Sequence, residues 1–385
     1  MIRNWTDRHL GGDPVIWAVV ILLSILSVLV VYSATGTLAY RMMDGNTEHY
    51  LFKHMGLIFL SLAAMWIAHK MDYRYYSKLS RLALWLSVPL LILTWQYGID
   101  LHESTRWITI PIINQSFQPS DFAKLALIAN LASMLSKRQQ NIDNFKESLV
   151  PILVWCGVIC GLIAMTDFSS GLLLFLTCML IMFIGRVPIK YLLMLTIVGA
   201  LAGSIAFQFG QRGDTVISRV DNFLNAKEIP FQAKQSYIAI ATGGITGKGP
   251  GQSDQRNFLP HPYSDFIYAI VVEEYGLIGG VGVIILYLIL LYRGMRTVMK
   301  SDRAFGGLLS AGLTFALVLQ AFVNMGVAVG LGPITGLPLP FVSMGGTSLL
   351  FNGIALGIIL SVSKEKDDKE IKRKINLDPD FSRAA

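Results

Sequence analysis

The sequence has few charged residues and few cysteines, and each scarcity excludes a class of protein. Only 15% of the 385 residues are Asp, Glu, Lys or Arg, whereas soluble domains have about a quarter, so an ordinary soluble domain is excluded. Cys156, Cys160 and Cys178 are the only cysteines and lie in apolar runs, where a thiol behaves as a small apolar group. The sequence therefore lacks a disulfide framework and a metal-type Cys/His spacing. It also has no GxxxxGK(S/T) nucleotide-binding loop.

Long apolar runs are the dominant feature of the sequence. Apolar residues make up 53% of the chain, the mean hydropathy is +0.54, and a helix needs about 20 apolar residues to cross a bilayer. We predict an all-α polytopic membrane protein with about ten transmembrane helices in a single domain, residues 14–363, between an N-terminal segment 1–13 and a tail 364–385. The ten apolar runs cover residues 14–34, 51–68, 79–97, 120–136, 149–165, 168–185, 187–208, 265–292, 304–325 and 345–363.

Lys and Arg residues are concentrated in alternate loops, which predicts how the chain is oriented in the membrane. Basic residues in short loops resist translocation. With the N-terminus inside, the inner loops hold most of them, and the short outer loops hold few beyond Arg41, Lys53 and Arg106. Both termini are then cytoplasmic, and residues 209–264 form a large extracellular loop between the seventh and eighth helices. This bias accounts for the net charge of +7, so we infer no nucleic-acid partner.

The outer segment between the third and fourth runs carries several polar residues. Arg106 and Trp107 precede an alternating apolar stretch, and Ser120 is then expected to be the N-cap of the fourth helix. Lys124 follows one turn later, and a lysine at the centre of a spanning helix costs about 2.5–3.5 kcal/mol. We expect Lys124 to face a polar cavity or a partner; the alternative is that it reaches the outer surface or pairs with Asp121.

The large outer loop is too long to be a simple connection. It contains an apolar-periodic piece, PFQAKQSYIAIATGG, and then a glycine-rich stretch flanked by Lys248 and Arg256. Backbone N–H groups in such a turn can bind a phosphate, although glycine-rich turns more often serve only as turns. The glycine-rich stretch includes Gly243, Gly244, Gly247, Gly249 and Gly251.

Three carboxylates follow this loop. Asp265 is predicted to open the eighth helix near the outer surface, where an acid at a helix N-terminus is commonly only structural. Glu273 and Glu274 lie two turns deeper, where an unpaired charge is costly, so we expect one or both to meet a cation or stay protonated.

The last outer segment precedes the tenth helix and cannot be helical. Pro333, Pro338 and Pro340 keep it extended, and small polar residues, among them Ser343 and Thr347, follow them. Irregular backbone at membrane depth is tolerated where it is buried in protein or lines a cavity. We predict that the three outer segments line one polar site, whereas the alternative for the small residues is close helix packing.

The motifs of these segments occur in a fixed order along nearly the whole chain. They are Arg106-Trp107-Ile108, Gln118-Pro119-Ser120-Asp121 with Lys124, Gln235-Ser236 with Ile238-Ala239, Gly243-Gly244, Gly247 to Gly251, Phe258-Leu259-Pro260, Ser264-Asp265-Phe266-Ile267, Glu273-Glu274, Gly276 and the proline segment to Gly346. Together they resemble the SEDS family of shape, elongation, division and sporulation proteins, whose two main types are FtsW and RodA. Two motifs depart from the family pattern: Tyr263-Ser264 stands where His-Thr is frequent, and Ser343-Met344-Gly345-Gly346-Thr347 where Ser-Tyr-Gly-Gly-Ser is usual.

The resemblance implies a peptidoglycan glycosyltransferase of the bacterial cytoplasmic membrane. Such an enzyme polymerises lipid II at the outer face and releases undecaprenyl diphosphate. The Gly249-Pro250-Gly251 turn and the TGLPLP segment are more similar to the division type FtsW than to RodA. The resemblance also implies a class B penicillin-binding protein and other divisome proteins as partners, and a divalent cation, Mg²⁺ or Mn²⁺, without an organic cofactor.

The family's essential acid matches Asp265, and the chemistry gives this residue a role. A sugar hydroxyl must lose its proton as it attacks the anomeric carbon, and a positioned carboxylate can accept that proton. Arg106 and Lys124, with Lys248 or Arg256, are candidates to hold the leaving diphosphate. The other candidate substrate-binding residues are Trp107, Gln118, Ser120, Glu273, Ser343 and Thr347.

Three other functions stay open at this stage. One is that of a RodA-type elongation polymerase, and another is that of a scaffold of the division machinery. A lipid-linked precursor flippase would also need outer polar loops and intramembrane carboxylates. The absence of repeated halves or evident broken helices in the sequence argues against the flippase.

Overall fold

The structure is a computed structural model that describes residues 11–36, 47–101, 104–110, 115–142, 144–209, 218–219, 221, 223 and 229–377. The predictions for residues 1–10, for Arg41, for parts of the large loop and for the end of the tail lie outside the described residues. All ten predicted apolar runs form helices. Seven helices among the described residues are long and apolar enough to cross a membrane, and two shorter apolar helices accompany them; the number that cross therefore stays a prediction.

The helices begin and end within a few residues of the predicted runs, except that α2, α3, α9 and α11 are extended by further turns. An additional helix, α8, lies in the large loop. The helices are α1 Pro14–Ala34, α2 Thr47–Lys70, α3 Tyr73–Tyr97, α4 Pro119–Arg138, α5 Val150–Thr166, α6 Phe168–Ile184, α7 Ile189–Phe209, α8 Phe231–Gly243, α9 Ile267–Lys300, α10 Ala304–Ala328 and α11 Thr347–Leu377.

A small antiparallel sheet precedes α4, so the all-α prediction is incomplete at this point. The strands β1 Ile99–Leu101, β2 Ser104–Ile110 and β3 Gln115–Phe117 lie in the order β1-β2-β3. Strand β2 ends with the first residues of the alternating stretch, and this period favours a strand. Ile108 pairs with Phe117 across the β2–β3 ladder. The sheet carries Arg106 and Trp107 to the start of α4.

Close helix packing holds the bundle together around α4, which contacts α3, α5, α6 and α10. Between α2 and α11 the contact depends on Gly353 and Gly357, because a Cβ on either would lie 2.3 Å from the carbonyl oxygen of Ser61 or Met65. Glycines four residues apart allow helices to approach in this way. At the far end of the bundle, Asp13 forms two hydrogen bonds of 2.6 Å with the guanidinium of Arg293, which fixes α1 to α9.

Candidate active site

A polar cavity of about 380 Å³ opens where the predicted outer segments meet. Its volume is within the range of small-molecule sites, about 300–1,000 Å³. Residues of β2, the first turns of α4 and α6, the segment before α9 and the proline segment between α10 and α11 line it. The prediction that three outer segments line one site is confirmed. The sequence-predicted residues in its wall are Arg106, Trp107, Gln118, Lys124 and Asp265.

Asp265 lies in the wall with a half-buried side chain. The Ser264 hydroxyl donates to its Oδ1 at 2.9 Å. Within the described ranges, no Lys, Arg or His nitrogen comes within ion-pair distance of its carboxylate. The carboxylate is therefore open to a proton or a substrate group.

The backbone that carries Asp265 is fixed by side chains of two other segments. Asn324 of α10 donates to the carbonyl oxygens of Asp265 at 2.8 Å and of Leu337 at 2.7 Å. The Ser343 hydroxyl donates to the Ser264 carbonyl at 2.6 Å. α9 begins at Ile267, two residues after the predicted start, so Asp265 lies in the turn before the helix. Its carbonyl accepts there from Asn324 of α10.

Arg106 reaches the cavity from β2 and pairs with an acid that the sequence analysis did not single out. Its Nη1 lies 3.2 Å from Oδ2 of Asp167 and donates to the Gly336 carbonyl at 3.4 Å. Asp167 is only 2% exposed and caps α6, accepting hydrogen bonds from the Ser170 backbone at 3.2 Å and hydroxyl at 2.5 Å. An acid at the junction of two apolar runs, with serines two and three residues after it, was the available signal.

Lys124 satisfies both of the expectations made for it. It lines the cavity, and its Nζ lies 3.1 Å from Asp121 Oδ1. The other carboxylate oxygen of Asp121 accepts from the Ser348 hydroxyl at 2.5 Å. The first turn of α4 is thereby joined to the start of α11, with a cation left facing the cavity.

The remaining polar residues near α4 form hydrogen bonds with one another and with α11. Several of them do not line the cavity. The Gln118 backbone N–H donates to the Thr347 hydroxyl at 3.1 Å, and the Gln118 side chain donates to the Ser120 hydroxyl at 3.0 Å. Ser120, Thr347 and Ser343 are absent from the lining. Ser120 is also not the N-cap as predicted, since α4 begins at Pro119, after Gln118, and proline suits the first helical position.

Lys248, Arg256 and Glu273 do not line the cavity, so the structure does not support their prediction as substrate-binding residues. The fully buried Glu273 carboxylate accepts from Lys248 Nζ at 2.6 Å and from the Ser253 hydroxyl at 2.5 Å. Burial alone would lower the pKa of Lys248, but the hydrogen bonds and charges of Glu273 and Asp254 outweigh it and raise this pKa. Glu273 meets a cation, as expected for at least one of the two glutamates.

Arg256 and Glu274 form a neighbouring contact with α1. The Arg256 Nη1 donates to the Ser33 carbonyl at 3.2 Å and hydroxyl at 3.0 Å. The Ser33 hydroxyl donates in turn to the Glu274 carboxylate. Lys248 and Arg256 thus join the large loop to α9 and α1 through their contacts with Glu273, Glu274 and Ser33.

The glycine-rich turn packs against a break in α9. Gly276 has φ +68° and interrupts the helix, and the N–H groups of Lys248 and Gly249 donate to the carbonyls of Glu273 and Glu274 at 3.0 Å. A Cβ on Gly247 would lie 2.2 Å from the Glu274 carbonyl oxygen. The expectation that this turn binds phosphate is therefore wrong for these two N–H groups. The sequence analysis did not detect the break in α9. The glycine-rich turn occupies this break.

Several cavity residues were missed by the sequence analysis because their types are common elsewhere. They include Tyr50 and Lys53 of α2 and Tyr263 before α9. Burial raises the pKa of Tyr263 to about 12, with smaller effects from Tyr50 and the charge of Asp265, so its phenol stays neutral. The available signal for Lys53 was that it is one of the few basic residues in the short outer loops, where Lys and Arg are otherwise rare.

Gly336 lies where a side chain would separate Asp265 from Arg106. A Cβ there would lie 3.6 Å from Asp265 Oδ2 and 3.8 Å from Arg106 Nη1, and its φ is +67°. We expect Gly336→Ala to reduce catalytic turnover by about 10- to 100-fold, because small displacements of reacting groups are costly and left-handed backbone costs about 1–2 kcal/mol with a Cβ. Turnover and melting temperature should be measured beside Gly332→Ala, whose Cβ would meet nothing within 4 Å. Equal activity of the two variants would contradict this geometry.

Glu273 is expected to stabilise the fold rather than bind substrate. Replacing it with glutamine leaves Lys248 without its buried partner, and because Lys248 is 24% exposed, we expect a loss of about 2 kcal/mol, below the value for a fully buried pair. Asp254→Asn is the matched control, since Asp254 pairs with the same lysine but is 74% exposed, and we expect a change within about 0.5 kcal/mol. Melting temperatures in detergent test both. Lost activity at unchanged stability would instead place Glu273 among the substrate-binding residues.

Comparison with known proteins assigns this arrangement to a family. Residues 13–368 match the family described as "Cell cycle protein", FTSW_RODA_SPOVE. The chain is 33% identical over 372 residues to "Stage V sporulation protein E" of Bacillus subtilis, covering 93% of this chain and 99% of that protein. It is 35% identical over 360 residues to "Probable peptidoglycan glycosyltransferase FtsW" of Geobacter metallireducens, covering 91% and 94%.

Solved structures share the fold. A chain from "Structural coordination of polymerization and crosslinking by a peptidoglycan synthase complex" superposes with a TM-score of 0.71 at 24% identity, covering 92% of this chain and 98% of that one. The rod shape determining protein RodA of Thermus thermophilus gives a TM-score of 0.67 at 23% identity, covering 92% and 97%. At these identities the likeness establishes the polytopic fold.

Proposed function

The chain belongs to the FtsW/RodA/SpoVE family of cell cycle proteins, and from this premise we propose that it is a peptidoglycan glycosyltransferase that polymerises lipid II. The observation that carries the proposal is the cavity in which Asp265 has a fixed backbone, no ion-pair partner among the described residues, and cationic side chains in the same wall. Relatives named peptidoglycan glycosyltransferases support the reaction.

The proposed reaction joins two lipid-linked sugars. Asp265 accepts the proton of the acceptor hydroxyl as its oxygen attacks the anomeric carbon of the donor. A carbon–oxygen bond forms there, and the bond from the anomeric carbon to the diphosphate oxygen breaks, its electron pair leaving with the diphosphate. The proton on Asp265 then passes to solvent. Diphosphate leaves as a stable anion, so a second carboxyl acid of the glycosidase type is not needed.

Cations in the wall are proposed to bind the leaving diphosphate. Arg106 is held by Asp167 but retains a buried Nε without a hydrogen-bond partner among the described residues. Lys124 is held by Asp121, and Lys53 faces the same cavity. Charge-assisted hydrogen bonds from such groups stabilise the negative charge that develops as the bond breaks. The ion pairs orient these cations before substrate arrives.

A divalent cation remains a prediction. Within the described part of the chain, no group of three or more His, Cys, Asp and Glu side chains has the arrangement of a metal site. The residues therefore do not fit an ion held by the protein alone, whereas an ion carried on the diphosphate needs only one or two carboxylates. No step of the proposed mechanism depends on it.

Location and partners follow from the same proposal. The cavity end of the bundle is placed at the outer face of the bacterial cytoplasmic membrane, with both termini in the cytoplasm, as the Lys and Arg distribution supports. A class B penicillin-binding protein would supply the crosslinking activity, consistent with the synthase complex that contains a similar fold. Relatives named FtsW and stage V sporulation protein E favour septal or sporulation synthesis over elongation.

Purified protein and purified lipid II test the proposal. The chain, alone and with its penicillin-binding partner, is expected to convert lipid II into glycan strands visible on a gel, with release of undecaprenyl diphosphate. Transbilayer movement of labelled lipid II in vesicles, without polymer in either preparation, would contradict it and favour the flippase.

A further inference from the structure

A second cavity, of about 320 Å³, lies between α3, α4 and α5. It is at the opposite end of α4 from the candidate active site. Gln118 immediately precedes this helix and Lys124 is in its second turn, whereas Lys137 and Arg138 are its last residues. A 20-residue helix is about 30 Å long, so the two ends of α4 that carry the cavities lie about this far apart. We call this site the basic pocket, defined by Arg81, Asn130, Lys137, Arg138 and the two tryptophans Trp85 and Trp155.

The charge of the basic pocket has one sign. Arg81, Lys137 and Arg138 line it, and its lining contains no carboxylate. Across the described part of the chain, none of these three cations forms an ion pair. The buried Nη1 of Arg138 has no hydrogen-bond partner there. Three cations gathered around a cavity repel one another, and an anion between them would remove this repulsion and supply the missing acceptor.

A buried amide points to the same kind of ligand. Asn130 lines the basic pocket and is only 6% exposed, and its side chain forms no hydrogen bond with another described residue. Buried polar groups are otherwise hydrogen-bonded in the great majority of cases. An oxyanion in the cavity would accept from its amide.

The walls indicate that this anion is attached to a lipid. Trp85 and Trp155 meet edge to face with ring centroids 4.8 Å apart, and tryptophan is enriched at the headgroup level of membranes. Next to these tryptophans in the sequence, α3 and α5 present exposed apolar side chains, including Leu86 at 52% and Val154 at 54% exposure. Acyl chains can lie on this surface while the headgroup occupies the pocket.

We propose that the basic pocket binds the phosphate group of an anionic phospholipid. Arg81 and Arg138 donate to the phosphate oxygens, Asn130 donates from the pocket floor, and Lys137 contributes charge. With the active site at the outer face, as proposed above, the lipid belongs to the cytoplasmic leaflet; the binding itself does not depend on the catalytic proposal. Basic pockets between helices on this side are suited to lipid headgroups. A bound lipid would hold one end of α4, the helix that carries Lys124 of the active site near its other end.

Native mass spectrometry of the full chain in a neutral detergent tests the proposal. Phosphatidylglycerol, phosphatidylcholine with the same acyl chains and inorganic phosphate are titrated separately. We expect one phosphatidylglycerol to bind at least about tenfold more tightly than phosphatidylcholine, and each of Arg81→Gln and Arg138→Gln to weaken it by about tenfold, since a hydrogen bond to a charged group is lost. Lys78→Gln is the matched control, because Lys78 is exposed on α3 one turn before Arg81 and does not line the pocket.

The other outcomes overturn the proposal. Equal binding of the two phospholipids would exclude recognition of the anionic headgroup, and inorganic phosphate binding as tightly as phosphatidylglycerol would mean that the lipid is not the ligand. An equal loss with Lys78→Gln would indicate general attraction to a basic surface instead of a site. Melting temperatures of all variants exclude unfolding as the cause, and Asn130→Leu, which removes a donor without changing charge, gives a second test of the pocket.

Discussion

Replacing Asp265 with asparagine is expected to lower the rate of lipid II polymerisation by about 10²- to 10⁴-fold, the usual contribution of a general base. The amide keeps the size of the side chain and can still accept the hydrogen bond from Ser264, but it cannot take the proton of the acceptor hydroxyl. The backbone is held by Asn324 and Ser343 through carbonyl groups that this substitution leaves in place. We therefore expect expression, insertion and melting temperature to stay unchanged.

Asp254→Asn is the control for the loss of a carboxylate from the same loop, because Asp254 is exposed and lies outside the cavity. It should polymerise lipid II at the parental rate. Parental activity in purified Asp265→Asn, with contaminating transferases excluded, would end the assignment of Asp265 as the base.

Replacing Arg106 with glutamine is expected to affect both stability and activity. Asp167 is 2% exposed and pairs with Arg106, and removing one partner of a buried pair costs about 3–5 kcal/mol. Since the Arg106 side chain is itself 15% exposed, we expect the lower end, about 3 kcal/mol. The loss of one preorganised cation at the leaving group is expected to reduce turnover by about 10²- to 10³-fold.

A double variant separates the two effects. Arg106→Gln with Asp167→Asn removes the uncompensated charge while keeping an oxygen to cap α6, so the melting temperature should recover towards that of the parent but turnover should not. Thermal unfolding and single-turnover polymerisation are measured on the same preparations. Recovery of turnover together with stability would show that Arg106 has a structural role only.

The helices could be predicted from sequence because the bilayer imposes a single strong constraint. Runs such as 14–34 and 304–325 need helical backbone to satisfy their own hydrogen bonds in lipid, and the structure has α1 and α10 at these positions. The sheet before α4 and the break at Gly276 were missed. The break depends on hydrogen bonds from the Leu277 and Ile278 N–H groups to the carbonyls of Gly244 and Ile245 in the large loop, which local periodicity does not report. The sheet is local, since its strands pair within residues 99–117, and its alternating stretch was not interpreted as a strand.

Site residues could be predicted from sequence only where an ionisable residue lies within or next to an apolar run, because a charge there is costly without a role. Arg106, Lys124 and Asp265 satisfy this condition, and all three line the cavity. Lys248 and Arg256 satisfied it equally well, yet they pack against α9 and α1 instead. Residue type and spacing do not distinguish a cation that binds substrate from one that neutralises a buried glutamate; the difference arises from which carboxylate the fold places beside each cation.

The structure of the Asp265→Asn variant with lipid II bound is the most direct test of the proposed active site. We predict that the donor diphosphate lies within hydrogen-bond distance of Arg106 and Lys124, and that the side chain at position 265 lies about 3 Å from the acceptor hydroxyl. A diphosphate bound at Lys248 and Arg256, or a sugar hydroxyl remote from position 265, would contradict it.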